Sequence, residues 1–181
     1  MSSASYPDDV LQRAARIRLF GFDVDGTLTD GRLHYGTDGH EAKAFHVQDG
    51  MGLVLLQHAG IELALVTARI SPVVSARGNE LKIAHVHVGE RSKLACMQRI
   101  SAGMGIGMDQ VAFMGDDLPD LAALRGVGLA IAPANAHPWA LAVAHWVTPR
   151  GGGEGAARDA CDLLLHAQGR VDAILAHGEH P

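Results

Sequence analysis

Two aspartates separated by a single valine, Asp23 and Asp25, follow directly on an apolar run that begins at Ile17. Alternate residues of an extended strand project to the same side, so both carboxylates point to one place. Gly26 then permits a sharp turn, because a residue without a Cβ adopts backbone angles that other residues avoid. Neighbouring carboxylates away from bulk water repel each other unless a cation lies between them. The pattern therefore predicts an acidic, cation-dependent site at the end of a buried strand.

Polar side chains also follow later apolar runs, at the point where each run ends. Thr67 closes the second run, Lys93 lies in the first turn of the helix after the third, and Asp116, Asp117 and Asp120 follow the fourth. Each has an ordinary explanation alone, such as a strand-end threonine, a solvated helix lysine or a helix N-cap. The carboxyl ends of parallel strands meet at one edge of a sheet, where such folds bind their ligands. Their occurrence at successive strand ends therefore favours a single site.

Phosphoryl transfer needs this set of side chains. A carboxylate can act as the nucleophile and form an aspartyl-phosphate. Carboxylates and a substrate phosphate are the ligands that suit Mg²⁺. A lysine and a hydroxyl can stabilise the phosphoryl oxygens in the transition state. A second carboxylate can protonate the leaving oxygen and later deprotonate water, and Asp25 is placed for that work.

The apolar runs alternate with helical patterns along the chain. Near-continuous apolar runs are typical of parallel strands buried on both faces, which helices then cover. The predicted class is α/β, with a doubly wound, Rossmann-like and mostly parallel sheet. Strands are predicted at residues 17–25, 61–67, 85–89, 111–116, 128–131 and 145–147, and helices at 7–16, 49–58, 71–81, 91–102, 117–124, 137–143 and 154–168.

Residues 32–47 predict a β-hairpin after the first strand, with Asp49 as the N-cap of the next helix. The hairpin carries few core-forming residues, and a lone two-stranded hairpin is marginal in water, so we expect support from elsewhere, such as another copy of the chain. The expected organisation is an N-terminal helical segment over residues 1–16, one domain over 17–168 and a tail over 169–181. Two interpretations of the tail stay open, a disordered segment and an extension that reaches a neighbour's site.

Composition excludes several classes of protein. The 181 residues are 48% hydrophobic and 4% aromatic, which suits one domain with helices packed on a sheet. The 15 lysines and arginines are scattered and the net charge is −5, so no nucleic-acid footprint is present. No apolar run approaches the roughly 20 residues of a membrane span. With no signal peptide pattern, and with Cys96 and Cys161 expected to be buried thiols, the expected location is the cytoplasm.

The ordered motifs over residues 23–120 resemble those of the haloacid dehalogenase-like phosphatases. By that resemblance Asp23 is the nucleophile and Asp25 the general acid and base. Mg²⁺ would be held by Asp23, the backbone carbonyl of Asp25 and Asp116. The phosphate would be held by Thr67 and Lys93, with Asp117 and Asp120 supporting the metal and the lysine.

Neither insertion point for a cap domain has room for one, because residues 25–49 hold only the hairpin and residues 67–93 only one helix and one strand. Residues 28–31, 45–50, 67–69 and 151–162 are similar to the 3-deoxy-D-manno-octulosonate 8-phosphate phosphatases, a capless group, and the similarity covers about residues 17–170. It implies a homotetramer packed through the hairpins, a keto-sugar acid of lipopolysaccharide biosynthesis as substrate, and substrate contacts from Thr29 and Asp49. Two departures bear on the accepted sugar: Ala68 replaces a usual glycine, and Glu154 interrupts a glycine loop.

Arg69, just past Thr67, is placed to pair with the carboxylate of an acidic sugar, although a surface salt bridge explains it equally well. A nine-carbon sialic or deaminated sialic acid 9-phosphate is the alternative substrate. A more distant alternative is a phosphoacceptor receiver module, which also uses Mg²⁺, a threonine and a lysine. Receivers phosphorylate an aspartate after the third strand, and the third run here ends in His87, Val88 and Gly89.

Overall fold

The structure, a computed structural model, describes residues 6–177. Its centre is a six-stranded sheet in the order β5-β4-β1-β6-β7-β8, in which every neighbouring pair is parallel. The strands are β1 (Leu19–Phe22), β4 (Glu62–Thr67), β5 (His85–Val88), β6 (Val111–Met114), β7 (Leu129–Ala132) and β8 (Trp146–Val147). The predicted α/β class with a parallel sheet is confirmed. No cap domain occurs within the described range.

Helices cover both faces of the sheet. They are α1 (Asp8–Ala14), α2 (Val47–His58), α3 (Pro72–Glu80), α4 (Lys93–Gly103), α5 (Leu121–Gly126), α6 (Pro138–Leu141), α7 (Ala156–Ala167) and α8 (Val171–His177). Phe20 and Phe22 of β1 pack into one buried cluster with α1, α2, α3 and α7. Leu19 points the other way, into a cluster with α4, α5 and α6. Side chains of successive strand residues thus pack alternately into two cores, one on each face of the sheet, as a doubly wound sheet requires.

The hairpin is shorter than predicted. Its strands, β2 (His34–Tyr35) and β3 (Glu41–Ala42), form a separate antiparallel pair. The prediction of strand up to residue 47 is wrong, because Val47 already begins α2. The predicted N-cap at Asp49 is wrong for the same reason, since His46 is the N-cap and Asp49 lies in the first turn. An acid there still interacts favourably with the helix dipole.

The chain after Gly169 continues as α8. Val171 and Ile174 pack against the core that α1, α2 and α7 share. Disorder is therefore the wrong interpretation of the tail as far as residue 177, while residues 178–181 lie outside the described part of the chain. Across residues 6–177, no helix is both long and apolar enough to cross a membrane.

Candidate active site

A cleft of about 290 Å³ opens at the carboxyl edge of the sheet. β1 is central there, with β4 and β6 as its neighbours, so the residues that follow these strands converge. The cleft is lined by Asp23, Asp25, Gly31, Thr67, Ala68, Arg69, Lys93, Asp116, Asp117, Pro119 and Asp120. The structure thus brings together the predicted nucleophile, acid/base, phosphate-binding and metal-binding side chains, which come from four separate strand ends.

Lys93 is buried between two of these acids. Its Nζ lies 2.7 Å from Oδ1 of Asp23 and 2.5 Å from Oδ1 of Asp120. Burial alone would lower the pKa of Lys93, but the negative charges of Asp23 and Asp120 outweigh burial and raise it. Lys93 therefore stays a cation beside the predicted nucleophile, where an incoming phosphate would need it.

Asp120 uses its second oxygen to fix the loop after β6. Oδ2 accepts hydrogen bonds from the backbone N–H groups of Asp116, at 3.0 Å, and Asp117, at 3.2 Å. Asp117 in turn caps the short 3₁₀ helix Leu118–Asp120, its Oδ1 accepting from the N–H of Leu118 at 2.7 Å. Both acids therefore hold the loop that carries Asp116.

The protein alone compensates poorly for negative charge on Asp23 and Asp116. Burial, and then repulsion from Asp120, raise the pKa of Asp23 to about 8, against the opposing effect of Lys93. Burial and the same repulsion raise the pKa of Asp116 to about 6. A divalent cation beside these oxygens would favour the ionised forms of both.

This donor set fits Mg²⁺. Oxygens of Asp23, Asp116 and Asp120 lie within 4.8 Å of one another. Since both oxygens of Asp120 are already engaged, Asp23 and Asp116 are the two carboxylates that would hold the metal, which stays a prediction. Asp116 is oriented by a hydrogen bond from Thr27, whose Oγ1 lies 3.1 Å from its Oδ1. Hard oxygen ligands of this kind suit a small divalent cation.

Two glycines of the loop after β8 hold the turn that follows Asp25. A Cβ on Gly152 would overlap the carbonyl oxygen of Gly26, and one on Gly153 would overlap the backbone of Thr29 and Asp30. The loop is kept in place by Asn135, whose Oδ1 accepts from the N–H of Gly152 at 2.8 Å. Backbone thus packs directly on backbone, which explains the glycine-rich sequence. Glu154, the unexpected acid of this loop, is exposed.

Two predicted substrate contacts do not reach the cleft in this chain. Oγ1 of Thr29 is buried, donates to the carbonyl of Val24 and accepts from the N–H of Gly31 at 3.2 Å, so it shapes the turn. Asp49 is buried against α7, where its Oδ1 accepts from the N–H of Arg158 at 2.7 Å. Neither side chain lines the cleft. In this structure both side chains bond to the backbone, and a substrate contact from either one stays a prediction.

The hairpin contributes residues that the sequence reasoning missed. The Arg69 guanidinium donates to the hydroxyl of Tyr35, at 2.7 Å, and to Oε1 of Glu41, at 2.9 Å. Oε2 of Glu41 accepts from Ser71 at 2.7 Å, and that bond, followed by those from Arg69 and Lys43, lowers the pKa of Glu41 to about 2. Lys43 is also bonded to Asp25. Glu41 and Lys43 are separated by one residue, as Asp23 and Asp25 are, and residues at this spacing in an extended segment point to the same side. This spacing was the signal in the sequence that could have identified them.

A family model described as haloacid dehalogenase-like hydrolase matches residues 73–158. The 3-deoxy-D-manno-octulosonate 8-phosphate phosphatase of Yersinia pestis is 44% identical over 165 residues, which are 91% of this chain and 88% of that protein. The chain belongs to the haloacid dehalogenase-like hydrolases.

Solved structures match the whole fold. A hypothetical protein from Xanthomonas campestris has a TM-score of 0.95 at 53% identity, covering 98% of this chain and 97% of that one. The 3-deoxy-D-manno-octulosonate 8-phosphate phosphatase of Moraxella catarrhalis, solved with magnesium, phosphate and the sugar acid, has a TM-score of 0.93 at 41% identity. It covers 96% of this chain and 100% of that one. The predicted membership in the capless phosphatases is thereby confirmed.

We expect Mg²⁺ to raise the melting temperature of chelator-treated protein, since a ligand that binds only the folded state stabilises it by about 2.7 kcal/mol at roughly 100 times Kd. Asp116→Asn should lose most of this increase. Without divalent cation the variant should melt at or above the unchanged protein, because one source of repulsion on Asp23 is gone. Thermal unfolding with and without Mg²⁺ measures both effects.

The matched control is Asp172→Asn, at an exposed acid of α8. It should keep the full Mg²⁺ effect. An undiminished Mg²⁺ effect in Asp116→Asn would remove Asp116 from the metal site.

Proposed function

We propose that the protein is a Mg²⁺-dependent phosphatase that converts 3-deoxy-D-manno-octulosonate 8-phosphate to the free sugar acid and phosphate, a step of lipopolysaccharide biosynthesis. The observation that carries the proposal is the buried Asp23 carboxylate facing Lys93, with Asp25 and Asp116 in the same cleft. This is the donor set of phosphoryl transfer through an aspartyl-phosphate. The identity of the substrate is inferred from those relatives named above that are 3-deoxy-D-manno-octulosonate 8-phosphate phosphatases.

In the first step, an oxygen of Asp23 bonds to phosphorus as the bond from phosphorus to the sugar oxygen breaks. Asp25 gives its proton to that leaving oxygen. Lys93 and Thr67 hold the phosphoryl oxygens while charge develops on them. When bound, Mg²⁺ neutralises the carboxylates and the substrate phosphate so that the two can approach.

In the second step, Asp25 takes a proton from a water molecule. The water oxygen bonds to phosphorus as the bond to Asp23 breaks, which releases phosphate and restores both carboxyl groups. The burial of Asp23 and Lys93 favours this sequence, because electrostatic interactions are stronger away from bulk water.

Arg69 supports an acidic sugar as the substrate. Its guanidinium lines the cleft and adjoins Asp25, with Nε 3.7 Å from Oδ2 of that residue. A guanidinium binds a carboxylate through paired hydrogen bonds, so the substrate carboxylate can replace part of the Tyr35 and Glu41 network around it. A nine-carbon sugar acid 9-phosphate offers the same carboxylate and is the second candidate.

The substrate assignment is tested by initial rates on the eight-carbon and nine-carbon esters, side by side, with Mg²⁺ and with chelator. We expect kcat/KM to favour the eight-carbon ester by about 10-fold or more, in line with discrimination by substrate length, and chelator to abolish both activities. Asp172→Asn serves again as the neutral variant. Comparable values on both esters would refute the specific substrate but leave the phosphatase chemistry standing.

We further propose a homotetramer assembled through the hairpins. The hairpin forms its own two-stranded sheet, and Leu33, Tyr35 and Val47 on or beside it are 46%, 60% and 82% exposed. Exposed apolar side chains next to unpaired strand edges favour association. Light scattering on the eluting protein should give four times the chain mass, whereas a single chain mass at micromolar concentration would contradict the tetramer.

We also place the activity in the cytoplasm. The two cysteines are free and buried, which fits a reducing compartment. Recovery of the activity in a periplasmic extract would contradict this location.

A further inference from the structure

A second buried lysine lies beside the cleft, on the hairpin. The side chain of Lys43 is 1% exposed, and its Nζ contacts Oδ1 of Asp25 and lies 3.2 Å from Oε1 of Glu41. A charged ammonium is costly to bury, so its position is fixed by these two acids. Lys43 has no role in the mechanism above, although Lys43 contacts Asp25, the residue that transfers the proton.

The two oxygens of Asp25 have different surroundings. Oδ1 is held by Lys43. Oδ2 is buried and, among residues 6–177, has no hydrogen-bond partner. Nε of Arg69 is likewise buried without such a partner in that range, and the two atoms face each other at 3.7 Å. Unpaired buried polar atoms are rare in folded proteins and mark a place where a further polar atom belongs.

We propose that Lys43 is a positioning residue for proton transfer by Asp25. By holding Oδ1, it fixes the carboxyl plane and leaves Oδ2 as the reacting oxygen. In the first step the proton on Oδ2 passes to the sugar oxygen as that oxygen leaves phosphorus. In the second step Oδ2 receives a proton from the attacking water as its oxygen bonds to phosphorus. This inference rests on the proposed phosphatase function and assigns a role within it.

The hairpin is attached to the cleft by other contacts as well. Glu41 accepts hydrogen bonds from Ser71 and Arg69, and Tyr35 accepts one from Arg69, and none of these three bonds involves the Lys43 ammonium. If Lys43 only held the hairpin in place, its substitution would displace the hairpin and lower the activity on all substrates alike. If Lys43 positions Asp25, the loss of activity depends on how much the leaving group needs a proton.

The test compares two esters of similar shape that lack a carboxylate, phenyl phosphate and p-nitrophenyl phosphate. Phenolate is the poorer leaving group and benefits from the acid, whereas p-nitrophenolate leaves readily without a proton. The quantity measured is kcat/KM, which reports the steps up to release of the alcohol. For Lys43→Met we expect a loss of about 10- to 100-fold on phenyl phosphate and of less than about 3-fold on p-nitrophenyl phosphate.

The matched control is Arg32→Met, which removes a cation from the segment leading into the hairpin. The Arg32 side chain is 79% exposed and its recorded ion pair is with Asp30, so both esters should be hydrolysed as before. If Lys43→Met no longer unfolds cooperatively on heating, the two esters are compared with Lys43→Gln instead, whose side chain is a shorter, neutral hydrogen-bond donor.

Equal losses on both esters, or no loss on either, would overturn the positioning role. The proposed function is tested separately, by Mg²⁺-dependent hydrolysis of 3-deoxy-D-manno-octulosonate 8-phosphate by the unchanged protein and its loss in Asp23→Asn. An unchanged protein that does not hydrolyse this sugar ester would contradict the proposed function and, with it, the inference.

Discussion

Repulsion between carboxylates is the constraint on which the site depends. Asp23, Asp25, Asp116 and Asp120 meet at one edge of a parallel sheet, where water is partly excluded and their charges are poorly screened. Asp120 is balanced by Lys93 and two backbone N–H groups, and Asp25 by Lys43. Burial, followed by repulsion from Asp120, raises the pKa values of Asp23 and Asp116. Asp23, which the mechanism requires to attack phosphorus, has the higher pKa of the two, about 8 against about 6, even with Lys93 beside it.

The fold keeps these charges together by close backbone packing. Gly21 lies in the middle of β1, and a Cβ there would overlap Met97 of α4 and Phe113 of β6. Gly115 has the same role beside Asp120. With the glycine loop at residues 151–155 packed on the turn after Asp25, the site is supported from both cores and from the loop above the sheet edge. Such support keeps the side chains at a fixed spacing when substrate enters.

The sheet and most of the cleft could be predicted from the sequence, because local signals carry them. Apolar runs define the strands, Asp23, Thr67 and Asp116 follow or close three of them, and Lys93 begins the helix after a fourth, so a parallel sheet brings the four together. The roles of Lys43 and Glu41 could not be found this way. They contact Asp25 and Arg69, two residues of the cleft, from a hairpin whose direction is set by tertiary contacts, above all the hydrogen bonds of Arg69 to Tyr35 and Glu41. Asp49 was misplaced because the N-cap of α2 is His46, three residues earlier than the sequence pattern suggested.

The central claim is that Asp23 forms a covalent bond to phosphorus. It is tested most directly by quenching the enzyme in acid during turnover of 3-deoxy-D-manno-octulosonate 8-phosphate, reducing it with borohydride and sequencing the peptides by mass spectrometry. Borohydride converts an aspartyl-phosphate to homoserine, so the account predicts homoserine at position 23 and unmodified aspartate at positions 25 and 116. Homoserine at either of those positions instead, or turnover that leaves every aspartate unmodified, would contradict it.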